Sequence, residues 1–193
     1  MVKKLGILLL VLLVLGGIGF WWIGSARGFS ARQQPTSLEV TLARAARGMA
    51  IPADAREMKN PLPLTPELMQ EARRHFADHC SSCHANDGSG NTEIGRNLYP
   101  KAPDMRQQRT QSLSDGELYF IIHNGIRLSG MPAWGPASGS DNDSWSLVHF
   151  IRRLPNLSAD ELKDMEQFNP QSPMEMKEQK EEEDFLNGKT EKK

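Results

Sequence analysis

Apolar and polar positions divide the chain into blocks of different period. From Leu5 to Gly24 twenty residues pass without a charge. At about 1.5 Å per residue a helix of that length covers about 30 Å, the thickness of a bilayer's hydrocarbon core. Leu38, Leu42, Ala45, Ala46 and Met49 then recur at helical spacing, which predicts one amphipathic helix before Asn60-Pro-Leu-Pro breaks the chain. A second stripe, Leu68, Met69, Ala72 and Phe76, follows Thr65 as N-cap and Pro66 at the first helical position. Ser114-Asp-Gly-Glu117 is a capping box ahead of Leu118, Ile121 and Ile122, with Gly125 as a stop. Leu147, Phe150, Ile151 and Leu154 fall at i, i+3, i+4 and i+7, and Pro155 ends that helix. Ser158 and Glu161 start one more short helix with Leu162 and Met165 on one side. No strand pattern appears between them. The expectation is an all-α fold: a transmembrane segment over 1–24, a stalk over 25–60, a helical domain with long loops over 61–157, and a charged extension over 158–193, largely disordered or loosely helical.

Charge refines this organisation. Lys3 and Lys4 precede the apolar run and Trp21 and Trp22 close it, so the positive-inside rule leaves the N-terminus in the cytoplasm and the rest on the far side. Arg27 and Arg32 follow the span and weaken the asymmetry. A cleaved signal peptide is the rival reading. Its apolar region is usually about 7–15 residues and ends at an A-x-A-like site, whereas this run is longer and Ser25-Ala26-Arg27 departs from that site. A retained anchor in a bacterial cytoplasmic membrane is expected, with the domain facing the periplasm or cell exterior. Residues 25–59 carry six basic and three acidic side chains, and 171–193 seven acidic and five basic. A formal net charge of −1 gives no reason to expect nucleic acid as a partner.

The candidate chemistry is concentrated in the middle block. Both cysteines of the chain lie in Cys80-Ser81-Ser82-Cys83-His84, the C-x-x-C-H pattern of c-type haem attachment. Two thiols at this spacing can each form a thioether to a haem vinyl group, and the adjoining imidazole can reach the iron. A thioredoxin-like pair would need a βαβ context, and a zinc site four ligands at workable spacing; neither is present. A second axial ligand is expected later in the chain. Met131, in Gly130-Met-Pro-Ala-Trp-Gly135, is the leading candidate, with Met105 as competitor and His123 behind it. His/Met ligation raises a haem's potential, which suits electron transfer. His75 and His79 stand at i, i+4 without an evident third ligand, and His149 reads as exposed or hydrogen-bonded.

Over residues 65–155 the chain resembles the class I cytochrome c family, through Cys80-x-x-Cys83-His84, Asn86-Asp-Gly-x-Gly90, Ala102-Pro-Asp-Met105 and Gly130-Met-Pro-Ala-Trp134. The resemblance implies one covalent haem c packed among three main helices, with His84 and Met131 as axial ligands. It also implies a carbonyl in Tyr99–Ala102 accepting from His84, and Trp134 close to the haem. The expected function is single-electron transfer between membrane or periplasmic redox proteins such as a dehydrogenase, an oxidase or a reductase. The chain is expected to be an electron carrier, not itself an enzyme, with no small-molecule substrate. The alternative is a haem enzyme or gas sensor with an open sixth position.

Overall fold

The computed structural model describes residues 2–27, 30–136 and 141–187, and over these it is helical. The parts of the expected stalk at 28–29 and of the charged extension at 188–193 lie outside the described residues. In chain order the helices are α1 (Val2–Arg27), α2 (Ser37–Ala50), α3 (Ala53–Glu57), α4 (Pro66–His75), α5 (Ser81–His84), α6 (Glu93–Asn97), α7 (Gln108–Gln111), α8 (Asp115–Asn124), α9 (Asn142–Arg153), α10 (Ala159–Glu166) and α11 (Pro173–Leu186). In α1 the stretch Lys3–Trp22 is long and apolar enough to cross a membrane.

The body forms where the predicted stripes meet. Thr65 accepts from the Leu68 amide, and Ser114 and Glu117 close their capping box, so α4 and α8 begin where their orphan N–H groups find partners. Helix α4 packs on α9, with the Phe76 and Phe150 rings 4.9 Å apart and both side chains sealed from solvent. Tyr119 of α8 stacks on Trp145 of α9 at 4.1 Å. Arg152 ties α9 to the start of α8, donating to Asp115 and to the Gln111 and Leu113 carbonyls. His149 pairs through Nε2 with the Leu62 carbonyl, the hydrogen-bonded form of its expected role.

The packed body is wider than the stripes alone suggest. On its C-terminal side, α10 places Met165 in the core and Leu157, Leu162 and Phe168 against it. On its N-terminal side, Ile51 and Ala55 are buried as α3 docks on α8. Gly116 is required at that junction: a Cβ there would meet the Ala55 carbonyl oxygen at 1.8 Å. Helix α2 forms as its periodicity predicts, with its apolar stripe on the outside. Leu38, Leu42 and Met49 are exposed, and the partly buried positions are Val40, Arg47 and Gly48, which share a face at i, i+7 and i+8. Two polar contacts decide this orientation, Tyr99 Oη with Glu39 at 3.2 Å and the Arg56 guanidinium with the Gly48 carbonyl. Beyond Pro170 the extension is helical over Pro173–Leu186, with Met174, Met176, Phe185 and Leu186 exposed.

Candidate haem site

Between α4 and α5 the backbone makes one π-helical turn, Phe76–Cys80. The extra residue in that turn changes which side chains face inward: Phe76 and Ala77 stay in the core while Cys80 borders a cavity. Helix α5 ends at Ala85, whose φ of 60° reverses the chain. The carbonyls this end leaves open are claimed by the next loop. The Gly90 N–H donates to the His84 oxygen at 2.8 Å, and Thr92 Oγ1 donates to the Cys83 oxygen at 3.2 Å. Gly95 packs so tightly here that a Cβ would come within 2.2 Å of the Cys83 oxygen. The loop is held from below by Arg106, which grips Asp104 with Nε and Nη2 at 2.9 Å and Asp87 with Nη1 at 2.8 Å. That guanidinium holds the Asp104 carboxyl down at about 2.

The opposite wall is the loop after α8. Its turns return to the open end of that helix: the Trp134 N–H donates to the Ile122 carbonyl and the Gly135 N–H to the His123 carbonyl, at 3.1 and 3.0 Å. The Ile126 N–H donates to the Met131 carbonyl at 3.1 Å, and the Ser129 hydroxyl accepts from the Met131 N–H. Gly125, at φ 66°, lies against Pro132 and Ala133, and Gly130 leaves room for Leu98. These contacts satisfy helix-end carbonyls and fix the loop that carries Met131.

Between the two walls lies a cavity that is partly open to solvent. Cys80, Cys83, His84 and Met131 all line it, as do Trp134 and an apolar remainder from Leu98, Leu113, Leu118, Ile122, Ile126 and Ile151. Met105 lines the same cavity but belongs to the buried core with Phe76 and Leu118. His123 does not line it, and its Nδ1 is paired with Asp141 at 2.6 Å. Trp134 stacks on His79 at 5.6 Å, and His79 in turn meets His75 edge-on.

The electrostatics suit a neutral imidazole and a large apolar guest. Burial lowers the His84 pKa, opposed by the Pro103 carbonyl, so the unprotonated form needed of a ligand is favoured. Its Nδ1 is buried without a well-formed hydrogen bond. The carbonyl acting on the ring is thus Pro103, one residue beyond the stretch the resemblance implies. Burial, with Cys83 adding to it, pushes the Cys80 thiol up to about 12. The two cysteines are not joined to each other, and among the described residues no cluster of three or more His, Cys, Asp or Glu could hold a bare metal ion. An apolar cavity bordered by two thiols and a neutral imidazole fits a porphyrin far better than a solvated ion.

Comparison with known proteins agrees. Residues 67–151 match the family model described as cytochrome C oxidase, cbb3-type, subunit III. The cbb3-type cytochrome c oxidase subunit FixP of Rhizobium meliloti (strain 1021) is 36% identical over 93 residues, covering 48% of this chain and 29% of the relative. The subunit of the same name from Sinorhizobium medicae (strain WSM419) is 35% identical over 78 residues, 40% of this chain and 25% of the relative. The chain therefore spans less than a third of either relative's length. Helical architecture, cavity and family match together support the resemblance of the domain around residues 67–151 to the class I cytochrome c family, with haem c as its cofactor.

Proposed function

We propose that this protein carries single electrons through one haem c, held by thioethers from Cys80 and Cys83 and ligated by His84 and Met131. The observation that supports this reading best is the meeting of these four side chains at one apolar cavity. When bound, the haem supplies a one-electron couple between Fe(II) and Fe(III). The chain's own residues fix its surroundings. The loop from Gly90 to Met105 braces the attachment turn, the apolar walls exclude water, and the tied-down loop after α8 presents a thioether, a soft ligand that favours the reduced metal.

The redox partners follow from the relatives. Both are named as subunits of a cbb3-type cytochrome c oxidase, so a membrane-bound terminal oxidase of that type is the proposed acceptor. The chain then serves as its electron-transfer component, not as an enzyme. Helix α1 anchors it as a single span with the haem domain on the periplasmic side, consistent with Lys3 and Lys4 at the opposite end of the apolar run.

Mass spectrometry of the purified protein tests the core of this reading. The expected result is the polypeptide mass plus one haem that resists extraction by acid acetone, with a c-type reduced-minus-oxidised spectrum. A Cys80→Ala, Cys83→Ala double variant that still carries covalent haem would overturn it. Carbon monoxide binding to the untreated reduced protein would favour an open sixth position instead.

A further inference from the structure

The matched family region begins at residue 67, yet one residue lining the cavity comes from well before it. Arg47, on the stalk helix α2, borders the cavity together with Lys101. Among the described residues these are its two permanently cationic side chains, and no carboxylate lines it. The remaining walls are overwhelmingly apolar. Arg47 is only partly exposed, unlike Arg44 one turn earlier on the same helix. Its helix is held there at both ends, by Tyr99 with Glu39 and by Arg56 with the Gly48 carbonyl, and the chain beyond it is sealed to the body through Ile51 and Ala55.

A porphyrin of the haem type bears two carboxylates on one edge. Carboxylates brought to an apolar cavity need a cationic partner, because an unpaired buried charge is costly. Arginine is well suited, having a planar fork that matches a carboxylate and a charge that persists at any working pH. We propose that Arg47 is the cationic partner of the porphyrin's carboxylate edge, so that the stalk helix forms part of the cofactor site. This rests on the haem reading above. It makes Arg47 a binding residue supplied by the segment that leads to the membrane, and it couples the placement of α2 to the state of the cofactor.

The test is an optical redox titration of the full-length holoprotein at low ionic strength, across pH 5 to 8, comparing Arg47→Gln, Arg47→Lys and Arg44→Gln with the parent. Removing a positive charge beside the haem favours the oxidised form, so Arg47→Gln should lower the midpoint potential. The released carboxylate, freed of its partner and partly desolvated, should then titrate above its ordinary value of about 4.3. His79, which also lines the cavity, contributes equally to parent and variants, so the potential of Arg47→Gln should fall more steeply with rising pH than that of the parent. Arg47→Lys and Arg44→Gln should both track the parent. An Arg47→Gln protein with haem attached and a potential indistinguishable from that of Arg44→Gln at every pH would overturn the inference. Absence of covalent haem from the parent itself, read by mass, would overturn the haem reading together with it.

Discussion

Two side chains at the cavity set the clearest residue-level expectations. Met131→Ala should lower the reduction potential and open the iron to carbon monoxide, because His/Met ligation raises haem potentials. Met105→Leu, a near-isosteric change in the core, should leave both properties close to the parent and cost less than about 1.5 kcal/mol. A titration with carbon monoxide separates the two sulfurs directly. The Asp104–Arg106 clamp sets a pH dependence. The Asp104 carboxyl is held at about 2 in the folded chain against an ordinary 3.8, so its stabilising contribution is complete above pH 4 to 5 and fades as pH falls through about 2. In Arg106→Gln that contribution is lost. Urea midpoints of parent and variant should differ at pH 6 and converge near pH 2. The cysteines, His84 and both methionines were legible as residue types at a spacing. The His123–Asp141 pair was not, since the two lie in different elements and nothing local announces their meeting.

Among the elements, the caps were the most readable feature, because Thr65, Ser114 and Ser158 act on donors within their own first turn. The direction of α2 was not readable from its stripe. Its leucines mark an apolar face without saying what that face meets, and the polar contacts it makes are long-range, Glu39 to Tyr99 and Arg56 to the Gly48 carbonyl. A hydrophobic period reports that a helix has two faces; what those faces meet is decided elsewhere in the chain. The π-helical turn before Cys80 is equally silent in sequence, being one residue of extra winding. The junction of α3 with α8 gives a direct test. Gly116→Ala places a methyl group on the Ala55 carbonyl oxygen, and relief requires the backbone of α3 to move. Stability should fall by about 1–3 kcal/mol, and trypsin should cut more readily after Arg56, as measured by denaturant titration and a timed digest.

For the whole molecule, the stripes located the body but understated its extent. The core between α4, α8 and α9 was visible in their periodicity, whereas α10 joins it, and the Ile51–Ala55 segment docks beside it on α8, through isolated apolar residues in polar surroundings. Such residues carry no periodic signal. Deleting residues 1–30 should leave the domain's melting temperature nearly unchanged. Deleting 1–59 uncovers the surface under Ile51, which is 3% exposed. Burial of such a side chain is worth about 1.5–3 kcal/mol, so the second truncation should melt measurably lower by circular dichroism while remaining folded.

The docking of α2 and α3 also bears on how far the domain can wander. A loose tether over residues 25–60 would let it sweep roughly 30–35 Å from its root; with those helices laid against the body, little slack is left. In the anchored arrangement proposed above, collisions are then confined to a thin layer along the membrane surface. An oxidase embedded in that membrane would meet the carrier at a high effective concentration, while a freely diffusing protein in the bulk compartment would meet it rarely.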